Sequence, residues 1–270
     1  MTLAALVAAA LAEDIGPGDV TTEACVPAGH TATARIVAKQ PLVLSGQDAA
    51  AETFGQLGAT YTPVMADGST IEAGTVVATV AGTARALLTA ERTALNFLMH
   101  LSGIATHTAS VVAAANGLQV VDTRKTAPAY RSLQKAAVRH GGGHNHRMAL
   151  YDAILIKENH IAAAGDLTTA VSRARAAGQG LFLQVEVETL AQLSDAIAAG
   201  ADGVLLDNMN DEMLREAVEQ ASGKILLEAS GNMTAERVGR LADSGLDRVS
   251  MGGLIHQARW VDLSMRFAGT

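Results

Sequence analysis

The chain has 270 residues, of which 49% are hydrophobic and 17% charged, with one Trp, three Tyr, four Phe and a formal charge of −7. That length and apolar content support one large core or a core with a satellite domain. The acidic, aromatic-poor balance excludes a nucleic-acid surface, which needs basic charge and stacking side chains. A single cysteine, Cys25, excludes an internal disulfide and any CxxC metal pattern, and no uncharged apolar run approaches the roughly 18–20 residues of a membrane helix, so a cytoplasmic protein with no membrane partner is expected.

The opening stretch MTLAALVAAALAED lacks a basic leader and predicts an amphipathic helix of the folded protein rather than a signal peptide. Short segments with β character follow (33–38, 42–45, 76–81), punctuated by Gly and Pro. ADGSTIEAGTVVATVAG has the turn-and-strand pattern of a biotinyl or lipoyl carrier. A carrier needs a lysine at its hairpin tip, however, and none occurs between Lys39 and Lys125, so a small antiparallel scaffold sheet is the reading. A helix is predicted over 89–100, with Ala94, Leu95, Leu98 and Met99 at helical spacing and Arg92 and Asn96 sharing a face, and LSGIAT starts a next helix running to about residue 115.

From residue 120 onward, apolar strand candidates (120–123, 154–157, 182–188, 203–207, 225–230, 248–252) alternate with amphipathic helices such as 189–199 and 211–221. That grammar predicts parallel βα units curling into an α/β barrel, and about six or seven strands are too few for a complete one. Asp122–Lys125, Lys157, Glu186, Asp207, Ser230, Gly231 and Gly252 all fall at or just past the C-terminal ends of these strands, the edge that carries chemistry in such barrels.

The cations are concentrated in one place. Between Asp122 and Ile161 seven Lys and Arg side chains face three acids, a local +4 inside an acidic protein, together with His140, His144, His146, His160 and Gly141–Gly143. Fixed cations in an acidic chain point to a pocket for a small polyanion. Arg124, Lys125 and Arg147 are candidate anion ligands, guanidinium groups binding carboxylate or phosphate bidentately and lysines acting as point charges. The triple glycine is a candidate anion-binding turn, and His146 is a candidate anion donor. Adjacent cations disfavour a zinc site on the three clustered histidines. Glu186 and Asp207, ending successive strands, either pair with Lys125 and Lys157 or hold a Mg²⁺ ion shared with substrate oxygens. Glu188 is read as a capping acid.

Taken in order, ERTALN, LSGIAT, DTRKT-P, GGG-NHR, LIK-NHI, VEVE-L, LLDN and LEASGN resemble the quinolinate phosphoribosyltransferase family, from EDIGPGDVTT near the start to DLSMRF near the end. The resemblance implies an α/β fold: an N-terminal open α/β sandwich over residues 1–103, with the tail from about 256 to 270 packing back on it, and an incomplete parallel α/β barrel over 104–255. It implies the decarboxylating transfer of a phosphoribosyl group from phosphoribosyl pyrophosphate to quinolinate in de novo NAD synthesis, with Mg²⁺, in a homodimer. Quinolinate would meet Arg124, His146, Arg147 and Lys157, with Arg92 supplied by the neighbouring subunit. Phosphoribosyl pyrophosphate would meet Lys125, Lys157, Glu186 and Asp207, its 5′-phosphate held by Ser230, Gly231 and Gly252. Lys125, Lys157, Glu186 and Asp207 would carry the catalysis.

The chain departs from the family pattern at TAPAYR for TTPGLR, KAAV for KYAV and LIKENH for LIKDNH, so Ala127, Ala129 and Ala136 are expected to reshape loop packing without removing a ligand. Three other readings compete. A nicotinate phosphoribosyltransferase needs fewer carboxylate-binding cations, a Schiff-base aldolase would use Lys157 as its amine, and a carrier or anion-binding module lacks the carrier lysine.

Overall fold

The computed structural model describes residues 1–178 and 180–268. Its strands are β1 (Thr31–Ala38), β2 (Leu42–Val43), β3 (Thr60–Pro63), β4 (Thr70–Ile71), β5 (Val76–Thr83), β6 (Gln119–Val121), β7 (Ile154–Ile156), β8 (Leu183–Val187), β9 (Gly203–Asp207), β10 (Leu226–Ser230), β11 (Arg248–Ser250) and β12 (Leu263–Phe267). The chain divides into two compact units: Met1–Ala109 with Ala127–Gly142 and the residues from Gln257 onward, and Ser110–Thr126 with Gly143–His256.

In the first unit the apolar opening stretch is a helix, Leu3–Ile15, capped by the Thr2 hydroxyl, which accepts from the Ala5 N–H at 3.2 Å. An antiparallel sheet of order β12-β1-β5-β3 follows, and β2 pairs with β4. Alternation along β1 sends Ala34, Ile36 and Ala38 inward, where they pack with Phe54, Val80, Leu87 and Leu98. The carrier-like stretch is part of this scaffold, supplying β4 and β5.

The two helices expected between 89 and 115 are one, Ala84–Ala115. Gly103 lies in mid-helix, where a Cβ would stand 2.2 Å from the Arg259 carbonyl oxygen, so glycine permits a close backbone approach. By length and composition this helix could cross a bilayer, yet half of its most apolar window is buried within the protein.

The second unit is built on a six-stranded sheet of order β6-β11-β10-β9-β8-β7, every pairing parallel. β6 and β7 are its two edges and do not pair, so the expected α/β barrel is present and incomplete. Four of the intervening helices, Leu167–Ala177, Leu190–Ala198, Asp211–Ala221 and Ala235–Leu241, open on side-chain caps from Asp166, Thr189, Asn210 and Thr234. Each such cap satisfies N–H groups the first turn leaves unpaired and is worth about 1 kcal/mol. The register sorts the sheet into two faces. One carries Leu183, Val185, Val187, Val204, Leu206, Leu227, Ala229 and Val249, all buried; the other carries Gln184, Glu186, Leu205, Asp207, Glu228, Ser230, Arg248 and Ser250.

Candidate active site

The second, polar face ends in the residues that the sequence marks as chemical. Glu186 is the penultimate residue of β8, Asp207 the last of β9 and Ser230 the last of β10, while Lys157 directly follows β7 and Gly252 lies just past β11. Lys157 Nζ sits 2.5 Å from Glu186 Oε2, an ion pair whose lysine is 43% exposed and whose glutamate is 12% exposed. Burial pushes the Glu186 carboxyl above its ordinary range against the pull of Lys157, and the neighbouring Asp207 and Glu158 add to the rise. Asp207 is oriented by Asn208, whose amide donates to Oδ2 at 2.8 Å.

Arg124 and Arg147 form a cationic pair in the same unit. Arg124 is half-buried, and its Nε is buried with no hydrogen-bond partner among the described residues. Desolvation lowers the Arg147 guanidinium from its usual value and the Arg124 charge lowers it further, with Asp152 opposing. Arg147 donates from Nη1 to the Ala153 carbonyl at 3.2 Å, and Asp152 holds the turn by accepting from the Met148 and Ala149 N–H groups at 2.5 and 2.9 Å. Two guanidinium groups close enough to repel, one with an unsatisfied donor, are an arrangement that an added dianion would relieve.

The turn after β10 is shaped for close approach. Gly231 has φ +90°, and a Cβ there would stand 2.2 Å from Asn208 Oδ1, so no other residue fits. Arg237, which sequence reasoning missed, ties this turn to the one after β9: it donates to the Gly231 and Met209 carbonyls at 2.9 and 2.6 Å and to Asp211 Oδ1 at 3.0 Å. At Gly252 a Cβ would stand 2.9 Å from Lys125 Cδ and 3.2 Å from His256 Nε2, so this glycine makes room for the lysine stem beside an imidazole that the sequence reading also passed over.

Beneath this edge, on the same face, lies a layer the sequence reading did not assign. Glu228 is fully buried. Its Oε2 accepts from Arg248 Nε at 2.6 Å and from Gln184 Nε2 at 3.0 Å, with His146 Nε2 at 3.5 Å. Burial alone would raise the Glu228 carboxyl, but His146 and Arg248 overcome it and hold it down at about 2. A signal existed: one charged residue in the middle of the apolar strand ILLEAS must be paired to be buried.

Other expectations are redistributed. Gly141 and Gly142 do not offer their N–H groups to an anion, since these donate to the Ala137 and Arg139 carbonyls at the end of the helix Arg131–His140. A Cβ at Gly141 would meet the Ala105 carbonyl oxygen at 2.3 Å, so the glycine is required for packing. His140 Nδ1 bonds Ser45 Oγ at 2.8 Å in the first unit, and His144 is exposed, its backbone bridging to Val121. Among the described residues no group of three metal-ligating side chains converges. Glu188 sits in the turn after β8, its N–H donating to Gln192 Oε1 at 2.8 Å. Arg92 and Asn96 are both exposed on the long helix of the first unit, as their spacing predicts. A cavity of about 360 Å³ in that unit is lined by Glu13, Asp14, Asn96, His100, Tyr130 and Trp260 among others; its carboxylates suit no polyanion, and it includes none of the expected site residues.

The two carboxylates at the strand ends fit a magnesium ion of the kind that borrows most of its ligands. Two hard oxygen donors on neighbouring strands, one already paired with a lysine, are too few for an all-protein cage and suit an ion completed by substrate oxygens and water.

Comparison with known proteins places the chain. Residues 19–102 match the family model for the N-terminal domain of quinolinate phosphoribosyl transferase, and residues 104–266 match that for its C-terminal domain. A protein of Mycobacterium leprae named nicotinate-nucleotide pyrophosphorylase (carboxylating) is 42% identical over 266 residues, covering 95% of this chain and 94% of its own. A Bacillus subtilis protein with the same name, qualified as probable, is 41% identical over 258 residues, covering 94% and 89%. The solved structure of the nicotinate-nucleotide pyrophosphorylase from Francisella tularensis superposes with a TM-score of 0.94 at 40% identity, covering 98% of this chain and 95% of that one. Human nicotinic acid phosphoribosyltransferase shares the fold alone, with a TM-score of 0.64 at 12% identity over 99% of this chain and 73% of that one.

Proposed function

The chain belongs to the quinolinate phosphoribosyltransferase family, and from that premise we propose that it joins quinolinate to phosphoribosyl pyrophosphate, releasing pyrophosphate and CO₂ and forming nicotinate mononucleotide for de novo NAD synthesis. The observation that carries this reading is the half-buried Arg124, with an unsatisfied guanidinium Nε and a charge that acts on Arg147, in the unit whose sheet edge bears the Lys157–Glu186 ion pair.

The residues divide by charge. Arg124, Arg147 and Lys157 receive the two carboxylates of quinolinate, and His146, whose ring nitrogens are engaged by Gln184 and the Arg147 N–H, stands behind them. Arg92, exposed and with no hydrogen bond or ion pair among the described residues, reaches the site of a second copy in a homodimer. Lys125, Lys157, Glu186 and Asp207 meet the ribose and pyrophosphate, while Ser230, Gly231 and Gly252 hold the 5′-phosphate through hydroxyl and backbone groups. When bound, Mg²⁺ on Glu186 and Asp207 supplies positive charge to the departing pyrophosphate. The exposed, unpaired Cys25 suits a cytoplasmic location, and the acidic charge argues against a nucleic-acid partner.

The chemistry then follows from a preorganised field. The C1′–O bond to pyrophosphate breaks, the ribosyl centre passes through an oxocarbenium-like state, and the pyridine nitrogen forms the new bond. Glu186, released from part of its pairing as the substrates engage Lys157, faces the developing cation. Quaternisation makes the ring nitrogen an electron sink. The bond from C2 to its carboxylate breaks as CO₂ leaves, the electron pair stays at C2, and a proton replaces it there. Lys157 as a Schiff-base amine is disfavoured, because its ammonium is held in an ion pair and a nucleophilic amine must be neutral.

The test is an assay with quinolinate, phosphoribosyl pyrophosphate and Mg²⁺ that follows CO₂ and mononucleotide, with nicotinate as the parallel substrate. Equal yields of both products from quinolinate, and none from nicotinate, are expected. Product from nicotinate only would move the protein to the sister reaction.

A further inference from the structure

We infer that Glu228 is a positioning residue for quinolinate binding: its buried carboxylate sets the tautomer of His146 through Gln184, and His146 in turn fixes the backbone from which Arg147 projects. The inference rests on the functional reading above and adds three residues, Glu228, Gln184 and Arg248, that touch no substrate in it.

The polarity of the chain of hydrogen bonds leaves no freedom once its first member is charged. An ionised carboxylate only accepts. Glu228 Oε2 is met at 2.6 Å by Arg248 Nε and at 3.0 Å by Gln184, which must therefore present its amide nitrogen. With Nε2 committed, Gln184 turns its Oε1 toward His146 Nε2, 3.2 Å away. That oxygen only accepts, so Nε2 carries the ring proton, and the second acceptor, Glu228 Oε2 at 3.5 Å, favours the same state. Nδ1 is then an acceptor, and it receives the Arg147 backbone N–H at 2.8 Å. A proton on Nδ1 would set donor against donor at that contact. The His146 main chain is held from the other side, its N–H donating to Asp122 Oδ1 at 2.9 Å. The imidazole is thus enclosed, its side chain only 10% exposed, and with both ring nitrogens engaged it acts on the substrate through Arg147.

This separates a positioning role from simple scaffolding. A buried ion pair that only supported the sheet would be indifferent to which imidazole nitrogen is protonated. It would also affect the two substrates alike when weakened. A relay that ends at Arg147 affects the dicarboxylate selectively, because phosphoribosyl pyrophosphate is held by Lys125, Asp207 and the turns after β10 and β11.

Two measurements test it. Nitrogen-15 spectra of the full-length chain labelled at histidine, recorded near pH 8 with His146 assigned by its loss in His146→Asn, should show His146 protonated at Nε2 and bare at Nδ1. Any state with a proton on Nδ1, neutral or cationic, overturns the relay. In Glu228→Gln the fixed polarity is lost; the expected result is a KM for quinolinate raised tenfold or more, a KM for phosphoribosyl pyrophosphate within twofold of the parent, and the appearance of an Nδ1–H signal from His146. An unchanged quinolinate KM, or equal rises for both substrates, overturns it. If Glu228→Gln does not fold, the tautomer in the parent chain decides. A parent chain that makes no mononucleotide from quinolinate defeats the functional reading, whereas the tautomer result stands or falls on its own.

Discussion

Two layers of the same sheet face, separated by one alternation of the strands, have opposite electrostatic characters. In the lower layer Gln184 and Arg248 both donate to one oxygen of Glu228, a fully buried carboxylate whose Oε2 accepts at 2.6 and 3.0 Å. In the upper layer Glu186, Asp207 and Ser230 stand at the strand ends, and in the loops of the same unit the Arg124 charge acts against that of Arg147. The lower layer pairs its charges within the protein, with Glu228 Oε1 left without a hydrogen-bond partner among the described residues, and the upper layer is left for substrate to complete. A buried charge must find its partner at folding, because an unpaired one costs several kcal/mol. A partly exposed charge such as Lys157, 43% exposed, keeps water until a ligand displaces it. The contrast therefore distinguishes residues selected for structure from residues selected for chemistry, although both sets are charged and lie on neighbouring positions.

Substitutions in the two layers should separate cleanly. The largest effect belongs to Glu186→Ala, which should lower kcat by about 10²–10³-fold, the scale of losing a preorganised electrostatic contact, with little change in the quinolinate KM; steady-state kinetics check it. Arg124→Ala should raise the quinolinate KM by roughly 10–100-fold, the scale of a lost charge-assisted pair, and leave thermal stability nearly unchanged, since its Nε has no partner to lose. Arg248→Ala should do the reverse. It strands Glu228 without its guanidinium and should destabilise the fold by about 3–5 kcal/mol in urea unfolding. If Arg124→Ala and Arg248→Ala had the same profile, the distinction between the layers would collapse.

Acid should also divide the layers. The folded-state pKa of Glu228 is depressed to about 2, so the stability it contributes is fully present above its unfolded value and is lost as pH falls through the range from about 4.5 to 2. Glu186 is shifted the other way, so its protonation on descending pH comes first. Activity should accordingly fail at a higher pH than folding does, with the acid limb of kcat/KM above the ordinary glutamate range while circular dichroism remains native. Coincident loss of activity and structure would contradict the assignment of the two carboxylates.

The smallest expected effect concerns Ala129, which stands where the family pattern has glycine. Its φ of +66° is left-handed, a region costing an alanine roughly 1–2 kcal/mol. Ala129→Gly should therefore raise stability by about 1 kcal/mol or less once the added chain entropy of glycine is counted, without altering the lower layer.

Much of this organisation was legible in the sequence, and the failures have physical causes. The strand ends of the second unit are readable because an apolar run followed by a polar residue and a capped helix is a local signal, and β9 and the helix Asp211–Ala221 have the expected bounds. Glu186 and Asp207 stood out for the same reason. Glu228, Gln184 and Arg248 did not, since each lies within or at the start of a largely apolar strand rather than at its C-terminal end, and their meaning lies in pairing across strands far apart in sequence. A glycine also misled: Gly141 reads as part of an anion-binding turn, whereas it is demanded by the Ala105 carbonyl oxygen 2.3 Å from where a Cβ would be. Close approach between distant segments has no local signature. His256 and Arg237 were missed because they belong to helices after the strand ends, one turn beyond the positions where pattern reasoning looks.

Completion of Arg124 and Arg147 by a dicarboxylate is measured by calorimetric titration of quinolinate and of nicotinate into the parent chain and into Arg124→Ala. The prediction is that quinolinate binds the parent at least tenfold more tightly than nicotinate does, and that Arg124→Ala abolishes the difference. Equal affinity of the parent for both ligands, or an undiminished preference in the variant, would contradict it.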